Sequence, residues 1–157
     1  MENIYKSEAE SNLGNRALAA LLLKYGRIYS DTEESVDVYT KQCSVGVNAV
    51  QLAMMGATLA NNGVNPKTGK YVVQPEIIPQ ILAVMLTCGF YDESGLWAFN
   101  TGLPGKTGVG GGILAVVPGK MAIVGFSPPL NEAGNSVRAS LAIQYIANQL
   151  NLNIFQN

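Results

Sequence analysis

Histidine is absent from all 157 residues of this sequence. Without an imidazole, the chain cannot by itself form a Ser-His-Asp triad, a Cys-His pair or most catalytic zinc sites. Any acid-base chemistry must therefore use lysine, tyrosine, aspartate or glutamate side chains. No cofactor is expected.

Charge is also scarce. Charged residues make up 13% of the chain and hydrophobic residues 48%, whereas soluble domains carry about 25% charged residues. Part of the surface is therefore expected to be covered by another segment of the same protein or by a second subunit. The net charge is -1, and the ten basic residues are scattered, so no basic stripe is available for phosphates and nucleic-acid binding is not expected.

Two further absences concern location. The sequence has no N-terminal signal segment and no apolar run of about 18 residues, so a cytoplasmic protein without membrane insertion is expected. Cys43 and Cys88 lie far apart and form no C-x-x-C motif. This spacing predicts two buried thiols in a reducing compartment rather than a disulfide.

Apolar periodicity and turn signals predict an α+β fold. Helices are predicted over Asn15–Lys24, from Asp31–Glu34 to about Cys43, over Asn48–Asn61, from Pro75 to about Cys88, and from Val137 to about Leu150. The first and third of these are expected to be buried, because they are apolar or small-residue-rich around most of their circumference.

Two apolar runs, Ile113–Val117 and Met121–Phe126, flank a Pro-Gly turn and predict a small antiparallel sheet with the C-terminal helix packed on one face. The first run is almost continuously apolar, so both of its faces should be covered. Two strands alone make a marginal sheet, so its edges need partners. The stretch from Phe90 to Gly105 is predicted to be a long irregular loop, a kind of segment that is uncommon unless functional.

A Lys-Thr-Gly triplet at Lys106–Gly108 and a glycine run lead directly into the first predicted strand. Such a triplet is typical of the active-site strand of penicillin-recognising serine acyl-transfer enzymes, where it faces a Ser-x-x-Lys nucleophile. No serine in this chain is followed by lysine three residues later. A second triplet at Lys67–Gly69 precedes no strand and is interpreted as a turn. The chain is therefore interpreted as part of a catalytic site.

Several longer motifs follow one another in order along the chain. They are Tyr39-Thr40-Lys41-Gln42-Cys43-Ser44, Met55-Gly56-Ala57-Thr58-Leu59-Ala60-Asn61, Asn65-Pro66-Lys67-Thr68-Gly69, Cys88-Gly89-Phe90-Tyr91-Asp92-Glu93-Ser94-Gly95, the segment from Gly102 to Gly112, and Ser127-Pro128-Pro129-Leu130 with Gly134-Asn135-Ser136-Val137. Together they resemble the serine-dependent glutaminase family over essentially the whole chain.

The resemblance implies a β-lactamase-like fold and hydrolysis of L-glutamine to L-glutamate and ammonia through a serine acyl-enzyme. Members of that family are longer, and residues 1–157 resemble only the C-terminal portion of the domain. The nucleophilic serine, its lysine and a substrate-holding asparagine belong to the missing N-terminal half. The chain alone is therefore expected to be inactive, and the family suggests a homo-oligomer.

The resemblance also assigns substrate-binding groups near the N-terminus. It places Glu8 at the α-amino group of glutamine and Asn15 at the α-carboxylate, in keeping with the charge and hydrogen-bonding capacity of each side chain. Taken without the family, Glu8 would be interpreted as a solvated charge and Asn15 as a helix N-cap. A one-residue shift in the following helix would put Arg16 in place of Asn15.

Three further residues are assigned by the resemblance. Tyr39 and Tyr91 match two active-site tyrosines, whose hydroxyl groups can relay a proton or hold a carboxylate when histidine is absent; the alternative is aromatic core packing. Val109 matches the residue whose backbone amide faces the developing oxyanion, with ordinary strand pairing as the alternative. Lys106 is expected to structure the pocket wall rather than act as the base.

Two other functions remain open at this point. One is a catalytically inactive module that binds glutamine through Glu8, Asn15 and Tyr91 without hydrolysing it. The other is an interaction fragment that has no ligand site.

Overall fold

The computed structural model describes residues 1–156 and divides into two compact units, one spanning Met1–Val47 and one beginning at Asn48. Within the described residues there are seven α-helices and a three-stranded antiparallel sheet. The predicted α+β class is therefore confirmed.

The first unit contains three helices, α1 (Glu2–Ser11), α2 (Leu13–Lys24) and α3 (Thr32–Cys43). The start of α3 is fixed by Asp31, whose carboxylate accepts a 2.9 Å hydrogen bond from the backbone amide of Glu34. This is the usual way of satisfying a free amide in the first turn. Helix α1 was not predicted from the sequence, and α2 begins earlier than predicted.

The second unit contains the remaining helices and the sheet. In chain order its elements are α4 (Ala49–Ala60), α5 (Ile78–Cys88), α6 (Ser94–Thr101), β1 (Gly105–Thr107), β2 (Gly112–Val117), β3 (Met121–Phe126) and α7 (Val137–Gln149). Asn48 and Gln51 form a reciprocal capping box at the start of α4, and the Ser136 side chain caps α7.

Strand β2 is the centre of the sheet, which has the order β1-β2-β3. Ile113 lies opposite Thr107 on one side and Gly125 on the other. The prediction of only two strands is therefore wrong, because the Lys-Thr-Gly triplet itself forms the third strand. Three residues are too few to give an alternating apolar pattern that sequence inspection could detect.

The sheet separates two apolar clusters. Ile113, Ala115 and Val117 pack with residues of α6 and α7 on one face. Leu114 and Val116 pack with residues of α4 and α5 on the other face. The prediction that β2 is covered on both faces, with the C-terminal helix on one of them, is confirmed.

Helix α4 approaches the sheet closely at Gly56. A methyl group added to Gly56 would lie 2.4 Å from Cδ1 of Leu114 and 2.7 Å from Cβ of Ala122. Only hydrogen fits in this gap, so glycine here sets the distance between helix and sheet.

The predicted irregular loop between Phe90 and Gly105 is wrong, because most of it forms α6 after a short 3₁₀ turn at Tyr91–Glu93. Ser94, Trp97 and Thr101 are the buried residues of α6. Their spacing of three and four residues is helical. The glycine and asparagine within the segment have poor helix propensity, and packing outweighs that preference.

Three burial predictions also need correction. In α2 only Ala19 is buried, and in α4 the side chains of Val50 and Met55 are exposed. Cys43 and Cys88 are free and exposed rather than buried. Apolar composition identified these helices correctly, but it does not distinguish a face covered by this chain from a face left open.

Candidate functional site

The residues predicted to form the site fall in both compact units. Glu8, Asn15 and Tyr39 belong to the first unit, and Tyr91 and Val109 belong to the second. Each group is described within its own unit.

Asn15 and Tyr39 line the same cavity, which lies between α2 and α3 and has a volume of about 310 Å³. Its other lining residues are mostly apolar: Leu18, Ala19, Leu22, Ile28, Ser35 and Val36. An apolar cavity with a few polar groups at defined places is the usual form of a small-molecule site. The sequence placed Asn15 and Tyr39 in one site, and in the structure both side chains line this cavity.

A buried pair of polar side chains holds Asn15. The Asn15 amide donates to the side-chain oxygen of Asn12, and the Asn12 amide donates to the Thr40 hydroxyl at 2.5 Å. The same Thr40 hydroxyl donates to the carbonyl of Val36 at 2.8 Å. Asn12 and Thr40 are both buried, so this chain of hydrogen bonds fixes α2 to α3 beside Tyr39.

Arg16, the alternative to Asn15, has a different environment. Its guanidinium forms an exposed ion pair with Glu33, with a 3.3 Å separation, and it is not among the residues that line the cavity. The geometry therefore favours Asn15 over Arg16 as the residue that meets a ligand there.

Glu8 is exposed on α1. Within residues 1–156, its carboxylate has no hydrogen-bond or ion-pair partner in its own unit. Helix α1 is joined to α3 by the Tyr5 hydroxyl, which donates to Asp37 at 2.6 Å. The Glu8 carboxylate is thus available to bind a ligand, while the Tyr5–Asp37 hydrogen bond holds its helix, α1, against α3.

Asp37 is the centre of a group of shifted pKa values in the first unit. The hydrogen bond from Lys41, followed by that from Tyr5, lowers the pKa of Asp37, because both donors favour its charged form. The same contacts raise the pKa of Lys41 and of Tyr5. This cluster ties α1 to α3 and lies outside the cavity.

In the second unit, Tyr91 and Val109 meet at Gly134. A methyl group added at Gly134 would lie 3.6 Å from Cε2 of Tyr91 and 3.7 Å from Cγ1 of Val109, and Gly134 has a φ of +89°. The Lys106 ammonium group lies 5.0 Å from the centre of the Tyr91 ring, within the range of a cation–π contact. Lys106 therefore lies beside the Tyr91 ring, and its role in structuring the pocket wall stays a prediction.

Val109 occupies a tight turn between β1 and β2. The amide of Gly111 donates to the carbonyl of Gly108 at 2.9 Å, which closes the turn. Within residues 1–156, the Val109 amide donates to no acceptor. Val109 is itself an exposed residue. A free amide between glycines can approach an anionic oxygen closely.

Sequence reasoning missed the residues that support these groups. Asn12 holds Asn15, while Glu93 links Asn131 and Asn135 near Tyr91. Asn12 could have been found as a polar residue immediately before an apolar helix. Glu93 and Asn131 are 38 residues apart, and no local pattern predicts such a contact.

Within residues 1–156, no group of three or more metal-binding side chains lies together. Across the same residues, no helix is both long enough and apolar enough to span a bilayer.

Several known proteins resemble this chain in both sequence and fold. The sequence profile of the Glutaminase family matches residues 1–155. A glutaminase from Bacteroides thetaiotaomicron is 49% identical over 157 residues, which cover 100% of this chain and 49% of that protein. Glutaminase 1 from Escherichia coli O157:H7 is 54% identical over 155 residues, covering 99% of this chain and 50% of that protein.

Solved structures of glutaminases also resemble this chain in fold. A probable glutaminase, ybaS, is 52% identical with a TM-score of 0.96, covering 100% of this chain and 51% of that one. The covalent complex of the Bacillus subtilis glutaminase YbgJ with 5-oxo-L-norleucine, formed by reaction with 6-diazo-5-oxo-L-norleucine, is 34% identical with a TM-score of 0.91; the match covers 98% of this chain and 55% of that one.

The fold is thus β-lactamase-like, as the resemblance to the glutaminase family implied. The chain belongs to the glutaminase family. It spans about half the length of the curated relatives that it matches.

Proposed function

We propose that this chain is the C-terminal portion of a glutaminase domain that hydrolyses L-glutamine to L-glutamate and ammonia. The observation that carries this proposal is a family match that covers the whole chain but only about half of each relative. The portion outside the match in the relatives is then the source of the nucleophilic serine and its lysine, because this chain has no Ser-x-x-Lys.

The reaction divides into two steps. The serine oxygen attacks the side-chain amide carbon of glutamine, the C–N bond breaks and ammonia leaves, giving an ester between the enzyme and the glutamyl group. Water then attacks that ester to release glutamate and restore the serine. Both steps place negative charge on the former carbonyl oxygen, so both need a hydrogen-bond donor at that oxygen.

The groups of this chain suit substrate binding and charge stabilisation. Glu8 is proposed to bind the α-ammonium group and Asn15 the α-carboxylate, while the free amide of Val109 donates to the oxyanion. The hydroxyl groups of Tyr39 and Tyr91 are proposed to contact the substrate and to transfer protons. Tyrosine is a suitable group for this step because the chain contains no histidine. The relative from Bacillus subtilis reacts with a compound whose ketone corresponds in position to the glutamine side-chain amide carbon, which supports the same substrate class.

The open edge of the sheet supports completion by another polypeptide segment. Within residues 1–156, the outer backbone groups of β3 bond to no other strand. β3 is apolar, Met-Ala-Ile-Val-Gly-Phe, with neither charge nor proline to protect it. Exposed edges of this kind are normally paired or covered. The proposed occupant is a strand from the missing half of the domain, and the chain alone is proposed to be inactive.

Two finer features belong to the same proposal. The free thiols of Cys43 and Cys88 suit a reducing compartment such as the cytoplasm. The exposed leucines of α2 and the exposed Val50 of α4 suit further burial in the complete domain and in a homo-oligomer.

The Val109 amide allows a sharp test. Val109→Pro removes the N–H, and proline is well tolerated at the second position of a turn. In a mixture with the N-terminal half of a related glutaminase, this variant should lower kcat for ammonia release by about 100-fold to 1,000-fold. Val109→Ala keeps the N–H and should retain activity. Equal activity of the two variants would remove Val109 from the proposed site.

A further inference from the structure

A single carboxylate joins two loops beside Tyr91. Both oxygens of Glu93 accept from the Asn131 amide, at 3.0 and 2.8 Å, and one also accepts from the Asn135 amide at 2.6 Å. Asn131 and Asn135 are bonded to each other through backbone and side chain at 2.9 Å. We call Glu93, Asn131 and Asn135 the Glu93 bracket.

The bracket, together with Ser94, fixes the backbone on both sides of Tyr91. The Phe90 carbonyl accepts from the Asn135 amide at 3.3 Å and from the Glu93 backbone at 3.0 Å. The Ser94 hydroxyl accepts from the Phe90 amide at 3.0 Å and donates to the Tyr91 carbonyl at 2.9 Å. Side chains therefore hold both peptide groups that flank Tyr91: Asn135 bonds to the one before it and Ser94 to the one after it.

Tyr91 needs such support because its φ is 53°. A residue with a side chain is disfavoured in this left-handed region and stays there only when its surroundings impose it. The bracket also holds Gly134, the residue next to Asn135, which lies against the Tyr91 ring. One carboxylate thus fixes both the backbone of Tyr91 and the surface that its ring contacts.

We propose that the Glu93 bracket is the positioning device that holds Tyr91 in its working orientation in the glutaminase site. This role rests on the proposed function, in which Tyr91 contacts the substrate. Glu93 has its oxygens occupied by the two asparagine amides, so it acts through Tyr91 and is not a catalytic residue. Its negative charge strengthens all three hydrogen bonds, because charge-assisted bonds are stronger than neutral ones.

The substitution Glu93→Gln tests this role with little change in volume. A glutamine replaces one acceptor oxygen by a donor NH₂ group and removes the negative charge, so at least one of the three hydrogen bonds is lost and the remaining ones are weakened. The control is Asp92→Asn, which removes an equal charge from the neighbouring exposed residue, and within residues 1–156 the Asp92 carboxylate bonds to no other group.

The first readout is independent of activity. The chain is labelled with 3-fluorotyrosine, and the Tyr91 signal among the seven tyrosines is assigned by its loss in Tyr91→Phe. Glu93→Gln should shift or broaden the Tyr91 ¹⁹F resonance and leave the other six in place, whereas Asp92→Asn should leave all seven in place. An unchanged Tyr91 signal in folded Glu93→Gln overturns the positioning role, whether or not the protein hydrolyses glutamine.

The second readout uses the chain combined with the N-terminal half of a related glutaminase. A displaced proton-transfer group slows the chemical step, so Glu93→Gln should lower kcat by about 10-fold to 100-fold with KM changed less than threefold, while Asp92→Asn stays within twofold of the parent. An unchanged kcat alongside a moved ¹⁹F signal also overturns the role. If the unmutated mixture releases no ammonia, the proposed function fails and the ¹⁹F result alone decides the position of Tyr91.

Asn131→Ala provides a second variant in case Glu93→Gln does not fold. It removes one arm of the bracket from an exposed position and should give the same selective ¹⁹F change and the same loss of kcat. A folded Asn131→Ala protein with neither change overturns the positioning role.

Discussion

Phe90 is expected to be a main source of stability in the second unit. Only 2% of its surface is exposed, and its ring stacks on Trp97 with a centroid distance of 4.0 Å and an interplanar angle of 11°. The substitution Phe90→Ala removes the stacked ring and leaves a cavity at the start of the turn that carries Tyr91. The structure therefore predicts a large loss of stability from a residue that has no proposed contact with substrate.

The size of that loss follows from the burial. An aromatic side chain buries roughly 150–250 Å², which at about 25 cal/mol per Å² corresponds to about 4–6 kcal/mol. Alanine retains its β-carbon and the neighbours relax partly, so the expected loss is about 3–5 kcal/mol. Phe90→Leu keeps most of the apolar volume and loses the stacking contribution, for which we expect about 1 kcal/mol.

Urea unfolding monitored by Trp97 fluorescence measures the loss directly, because Trp97 is the sole tryptophan and lies in the second unit. Phe99→Ala is the matched control: Phe99 is on the same helix, α6, but is 78% exposed, so its loss should stay within about 0.5 kcal/mol. If Phe90→Ala and Phe99→Ala destabilise equally, the assigned packing of Phe90 against Trp97 is incorrect.

Two further predictions concern packing and titration. Gly56→Ala should destabilise the second unit by about 1–3 kcal/mol, because the added methyl group overpacks against Leu114 and Ala122. Gly95→Ala, in a helix with open space around the glycine, should instead stabilise it by about 0.4–1 kcal/mol. Urea unfolding followed by Trp97 fluorescence measures both changes, and equal effects would contradict the close approach of α4 to the sheet. Hydrogen bonds from Lys41 and then Tyr5 lower the pKa of Asp37 below its ordinary value of 3.8, so its stabilising effect is present above that value and is lost as the pH falls through the lowered pKa. Lys41→Met should raise the Asp37 pKa toward 3.8, measured by ¹³C NMR of the carboxyl carbon, and an unmoved pKa would refute the assignment of Lys41 as the main cause.

Much of this architecture could be predicted from the sequence because it depends on local patterns. The continuous apolar run of β2 and the helical spacing in α7 specify these elements and their burial without reference to distant residues. The ordered motifs, one of which contains the Lys-Thr-Gly triplet, indicated the family, and the match to the Glutaminase family confirmed it.

The remaining features depend on contacts between residues far apart in the chain. Strand β1 is too short to show a period, and α6 is stabilised by packing of Trp97 rather than by propensity. The Asn12–Thr40 bond and the Glu93 bracket join residues separated by 28 and 38 or more positions. Exposure of Cys43 and of the α2 leucines was missed because composition does not indicate which chain covers an apolar face.

The most direct test of the central claim is ammonia release from L-glutamine by this chain alone, by the N-terminal half of the Escherichia coli relative alone, and by the two together. Activity is expected in the mixture only, since the serine and lysine are proposed to come from one half and Glu8, Asn15 and Val109 from the other. Robust turnover by this chain alone would contradict the account, because it would require a nucleophile other than the proposed one. Stereoselective glutamine binding without turnover in the mixture would also contradict it and would indicate a binding module.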